Sequence, residues 1–158
     1  MAEAYIEPWL RGTLTEVDAV RRQVLHTFEL AEDDMEKWCA GLSDAEVNAR
    51  PFEIALVTFH LRHIAGSLDR LLTYLEGRQL TEEQLKTMRA ELTAGGSTAE
   101  VMRFFKDGVA EARRRVLLIL PGSYEEARGV GRKMLPTTVG ALLIHCADHT
   151  HRHVGQAV

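Results

Sequence analysis

Apolar residues recur at intervals of three and four along most of the chain, the period of an amphipathic helix. After Pro8, the positions Leu14, Val17, Val20, Val24, Leu25, Phe28, Met35 and Trp38 keep this spacing to about Cys39, with Asp, Glu and Arg between them, and predict a first long helix. Ser43 followed by Glu46 is a capping-box pattern for a short helical turn, and Arg50-Pro51 then breaks the chain. Leu56, Phe59, Ile64, Leu68, Leu71, Leu72 and Leu75 predict a second long helix from about Ile54 to Leu75, stopped by Gly77. Thr81-Glu82-Glu83-Gln84 opens a short helix to about Leu92, Gly95-Gly96 ends it, and a third long helix runs from about Thr98 to Leu120. Pro121, Gly122, Gly129, Gly131 and Pro136 predict an irregular stretch, after which Thr137 caps a last helix to about Gln156. Four long helices with short connectors predict an all-α four-helix bundle.

Composition narrows the setting. With 158 residues, 46% of them hydrophobic and 27% charged, and with no repeat or composition shift, residues 1–158 read as a single globular domain. A domain of this length buries about 68–70% of its unfolded surface, so folding requires neither a disulfide nor a structural metal, and any metal is a functional one. A net charge of −4 provides no basic field for phosphate backbones, so neither nucleic acid nor an anionic membrane is expected as a partner. The longest apolar runs, Val116 to Leu120 and Gly140 to Ile144, fall far short of the roughly 20 residues that span a bilayer. The start, Met1-Ala2-Glu3-Ala4-Tyr5, has no basic or apolar signal pattern, and the expected location is cytoplasmic. Cys39 and Cys146 form no CxxC pair and read as packed thiols. No phosphate-binding glycine motif and no nucleophile motif occurs.

The histidines carry the candidate chemistry. Of seven, His145, His149, His151 and His153 crowd into the last predicted helix, and His60 and His63 share the second long one. At roughly 100° per residue, His149 and His153 lie one turn and about 40° apart, on the side that carries Leu142 and Cys146. His151 falls on the opposite, charged side and His145 at the edge of the apolar stripe. Two imidazoles at i and i+4 place two nitrogens where one metal ion can take both, and a third from another helix leaves a fourth position for water or substrate, the arrangement of a catalytic site. Helical geometry leaves both His60 and His63 available as that third ligand. Against this stands the plain reading of the same residues as surface or hydrogen-bonded core histidines.

Two segments also carry a resemblance. Phe59-His60-Leu61-Arg62-His63-Ile64-Ala65-Gly66-Ser67-Leu68-Asp69-Arg70 resembles the His-Leu/Ile-Ala stretch on the second helix of the DinB/YfiT-like superfamily, and His149-Thr150-His151-Arg152-His153-Val154-Gly155-Gln156 resembles that family's C-terminal HxxxHxGQ pattern. The resemblance spans nearly the whole chain. It implies a four-helix bundle, a homodimer, and a divalent metal, zinc or nickel, held by His63, His149 and His153. His63 is selected because Ile64-Ala65 follow it; His60 and His145 become pocket residues around the ligands. The implied activities are thiol-dependent transfer or isomerisation with a low-molecular-weight thiol among the small-molecule substrates.

Three neutral imidazoles around an ion with an open position would activate water or a thiol near neutral pH, so the expected chemistry is that of a hydrolase or a thiol-dependent S-transferase, with the catalytic residues themselves unidentified. Because no general acid or base stands out, the alternative is a non-catalytic stress-related metal-binding or interaction protein. A heme or di-iron bundle is disfavoured, since the histidine-bearing helices lack ExxH pairs and Glu53 is isolated. Arg62, Asp148 and Arg152 flank the ligands, and Cys146 shares a face with His149. Trp9, Trp38, Phe104 and Phe105 read as core or dimer-contact residues, and Arg113-Arg114-Arg115 as a solvated face beside Glu111.

Overall fold

The computed structural model describes residues 4–158. Helices α1 (Ala19–Cys39), α3 (Val57–Leu75), α5 (Thr98–Leu117) and α6 (Val139–Ala157) are the long ones, α2 (Asp44–Val47) and α4 (Glu82–Ala90) are short, and strands β1 (Ala127–Val130) and β2 (Leu135–Thr138) precede α6. Both α3 and α1 pack against α5 and α6, which closes the four long helices into a bundle. The fold is all-α apart from the two-stranded hairpin. Among the described residues no helix is long and apolar enough to cross a membrane.

Side chains that satisfy orphan backbone N–H groups set the helix starts. Ser43, Thr81 and Ser97 each form a capping box with Glu46, Gln84 and Glu100. The first helix begins later than the apolar spacing predicts: Leu14 has a φ of 56°, and the Asp18 side chain accepts hydrogen bonds from the N–H groups of Val20 and Arg21, so α1 starts at Ala19. Helix α3 starts at Val57 rather than Ile54, because Ile54 and Leu56 are extended, with ψ angles of 164° and 148° that a helix cannot contain. Helix α5 stops at Leu117, three residues before the predicted end.

The stretch expected to be irregular contains an antiparallel hairpin, with Ala127 opposite Thr138 and Gly129 opposite Pro136. Proline is tolerated there because a two-stranded ribbon consists of edges. Thr138, not Thr137, caps α6 by accepting from the Ala141 N–H.

The core joins Leu25, Phe28 and Met35 of α1, Leu61, Ile64, Leu68 and Leu72 of α3, Phe105, Val109 and Val116 of α5, and Leu142, Leu143 and Cys146 of α6. Phe105 belongs to it, whereas Trp9, Trp38 and Phe104 are exposed. Arg115 corrects the solvated reading of its arginine run. It is 7% exposed and donates to Glu76 Oε1 and Asp69 Oδ1, each at 2.7 Å, tying α5 to α3 through paired charges. Arg113 does the same toward α1, with Glu29 at 2.8 Å and Glu32 at 3.3 Å.

Helices α3 and α5 meet closely at Gly108, where an added Cβ would stand 2.5 Å from the Cβ of Ala65. The substitution Gly108→Val should therefore push α5 off α3 and lower the unfolding free energy by about 1–3 kcal/mol, read as a reduced urea midpoint. An unchanged midpoint would contradict the contact.

Candidate metal centre

Helix α3 presents His60 and His63 one turn apart near its N-terminal end, and α6 presents His149 and His153 one turn apart near its C-terminal end. These two ends lie side by side. One nitrogen from each of His63, His149 and His153 lies within 4.8 Å of the others, and the three rings form a triangle with centroid separations of 5.0, 4.4 and 4.6 Å. The three histidines expected as ligands are the three brought together.

The hydrogen bonds around each ring determine which nitrogen is free. The Glu91 carboxylate lies 2.7 Å from His63 Nδ1 and can only accept, so that nitrogen carries the proton and Nε2 keeps its lone pair. Ser67 Oγ donates its single hydrogen to the Ile64 carbonyl at 3.1 Å, so at 3.2 Å it accepts from His149 Nδ1, which again leaves Nε2 as the lone-pair nitrogen. The two free Nε2 atoms face each other at 3.4 Å. His153 Nδ1 lies 3.1 Å from His60 Nδ1, so one of these two nitrogens carries the proton shared between the rings.

Facing lone pairs repel unless a cation lies between them, and three convergent neutral imidazoles are a donor set that suits zinc or nickel. The residues present therefore fit a divalent metal. Each of the three rings also has a partner of its own, Glu91, Ser67 or His60, of the kind that orients metal-binding imidazoles. Phe59 stacks on His63 with centroids 5.1 Å apart and an interplanar angle of 18°, and meets His153 edge-on at 6.1 Å, which covers one flank of the cluster with apolar surface.

Electrostatics keep the rings ready to bind. Burial first, and then the closeness of His63 and the other neighbouring histidines, which disfavours a second positive charge in the cluster, push both His149 and His153 down to about 4. Burial lowers His60 as well.

His60 is 4% exposed and belongs to the support of His153, outside the group of three. His145 is exposed, with its ring 5.5 Å from that of His149 and its Nδ1 3.9 Å from Asp148. Cys146 is buried in the core; burial pushes its thiol up to about 12, so it stays protonated. Arg62 turns away and donates to the carbonyls of Thr93 and Gly95, and Arg152 pairs with Asp148 on the surface.

Three supporting residues escaped the sequence reading. Glu91 lies just past α4, and nothing in the spacing separates it from the exposed Glu82 and Glu83. Ser67 had a usable signal, since it follows His63 by one helical turn. Arg70, 8% exposed, donates to Glu91 Oε1 at 2.5 Å and so belongs to the same network.

Because His149 and His153 hold their neutral forms down to about 4 in the folded chain, against 6.5 for a free imidazole, the unfolded chain binds more protons between those values. Stability of the metal-free protein should be constant above pH 6.5 and fall as pH drops from 6.5 toward 4. Melting temperature against pH checks this, and a flat profile across the interval would contradict the burial of neutral imidazoles.

The comparisons with known proteins agree with this architecture. No curated protein matches the chain. A solved structure of a conserved protein from Enterococcus faecalis is similar, with a TM-score of 0.72 at 19% identity, covering 89% of this chain and 94% of that one, which shows a shared fold. The family model described as the DinB superfamily matches residues 27–157, a span that includes all three clustered histidines and both helices that carry them. On that match the chain belongs to the DinB superfamily.

Proposed function

We propose that this protein binds one divalent ion, zinc or nickel, through Nε2 of His63, His149 and His153, and uses it on a small-molecule substrate as a hydrolase or a thiol-dependent S-transferase. The observation that carries the reading is the pair of lone-pair nitrogens 3.4 Å apart on different helices, each held in that tautomer by its own partner. A divalent ion in such a site supplies Lewis acidity that lowers the pKa of water or of a substrate thiol toward neutrality.

The chain's own residues prepare the site. Glu91 keeps the His63 proton on Nδ1, Ser67 does the same for His149, and His60 engages Nδ1 of His153, so each ligand is oriented before binding. Phe59 shields one flank from water. Three protein ligands would leave a position for water or substrate, which suits turnover better than a closed structural site. A low-molecular-weight thiol fits this reading because a soft sulfur is a good fourth ligand for zinc or nickel.

Plasma mass spectrometry on untagged protein incubated with zinc or nickel should find about one ion per chain, lost in His63→Ala, His149→Ala and His153→Ala and retained in His151→Ala, whose ring is exposed. Loaded protein is then expected to turn over thiol-transfer or hydrolysis probes. Wild type that stays metal-free would overturn the site, and metal without turnover would leave a non-catalytic metal-binding protein.

A further inference from the structure

Building on the three-histidine reading, we propose that Glu91 is a positioning residue of the centre, seated by Arg70 and given room by Gly66, so that the segment joining α4 to α5 sets which nitrogen of His63 faces the other ligands. Glu91 is 3% exposed, and both of its oxygens are committed: Oε2 to His63 Nδ1 at 2.7 Å and Oε1 to Arg70 Nη1 at 2.5 Å. Arg70 Nη2 also reaches Oε2 at 3.4 Å. The guanidinium balances the carboxylate charge, so Glu91 orients His63 without leaving a lone buried anion.

Room for this arrangement comes from Gly66. A Cβ there would overlap Glu91 Oε1 and stand 2.9 Å from Arg70 Nη1, so a larger residue displaces the carboxylate. The segment carrying Glu91 is also fastened to α3 next to the ligand, because Arg62 donates to the carbonyls of Thr93 and Gly95, each at 2.6 Å. Position and proton of His63 are thus set from outside the two ligand helices.

A purely structural ion pair would hold α4 to α3 and leave the His63 tautomer alone. The variant Glu91→Gln separates the two roles. Its amide has one oxygen, which Arg70 claims, so the NH2 group faces His63 Nδ1 and that nitrogen must accept. The proton then moves to Nε2, the nitrogen needed by the centre.

The experiment records the His63 tautomer by nitrogen-15 NMR in metal-free wild type, Glu91→Gln and Gly66→Ala, and zinc affinity by competition with a chelator, with circular dichroism as the fold control. The expected results are Nδ1 protonation of His63 in wild type, inversion in Glu91→Gln, and zinc binding weakened about 10–100-fold in both variants. Gly66→Ala keeps Glu91 and should still show the loss. Nε2 protonation of His63 in wild type overturns the proposal, as do folded variants that bind zinc within about twofold of wild type. Should wild type take up no zinc, the three-histidine reading fails by itself, and the metal-free tautomer still decides: inversion in Glu91→Gln supports the role of Glu91, and no change removes it. If both variants unfold, the wild-type tautomer decides alone, Nδ1 protonation supporting the role and Nε2 protonation removing it.

Discussion

A carboxylate withdrawn from water must have both oxygens paired, and Glu91 meets that demand with His63 on one side and Arg70 on the other. Both partners sit on α3, so the end of α4 is pinned to that helix at the level where α3 meets α6. His63 is held in a single tautomer as a result, with its free nitrogen turned toward the last helix. The loop from Glu91 to Gly96 is drawn in by the same logic, since Arg62 and Asn48 satisfy its carbonyls.

Helix α3 is consequently the hub of the molecule. One part of its surface approaches α5 closely enough that Gly108 must lack a side chain opposite Ala65, and Asp69 and Thr73 receive the buried Arg115 from the same helix. Another part offers His60 and His63 to α6. Paired charges on the α5 side and neutral, desolvated imidazoles on the α6 side are two ways of burying polar groups at acceptable cost. Only the second leaves lone pairs unspent. That asymmetry leaves free donor nitrogens between α3 and α6, although α3 and α5 share the more highly charged contact.

Much of this could be read from the chain. The apolar period found all four long helices, and the Ser43 and Thr81 capping patterns placed two short ones. Histidine spacing isolated His149 and His153 from His151, because helical geometry alone puts the first two on one side. The boundaries that failed did so for local reasons: a left-handed φ at Leu14 and extended backbone at Ile54 and Leu56 delay two helices, and residues 127–138 are too short and too rich in Gly and Pro to register as strands. Arg115 was misread because a run of three arginines says nothing about which one faces acidic partners 39 and 46 positions earlier.

Periodicity along the chain was enough to establish the helical class, the faces of the helices and the placing of His149 and His153 on one side of the last helix, since these depend on the geometry of a single helix. Spacing left His60 and His63 equivalent, and the resemblance favoured His63. The packing of the helices shows why the two differ: Glu91 arrives from another helix to orient one of them, and His153 engages the other. Hydrogen bonds between residues 28 and 82 positions apart decide which nitrogens of His63 and His149 remain free, and no local pattern encodes a contact across that distance.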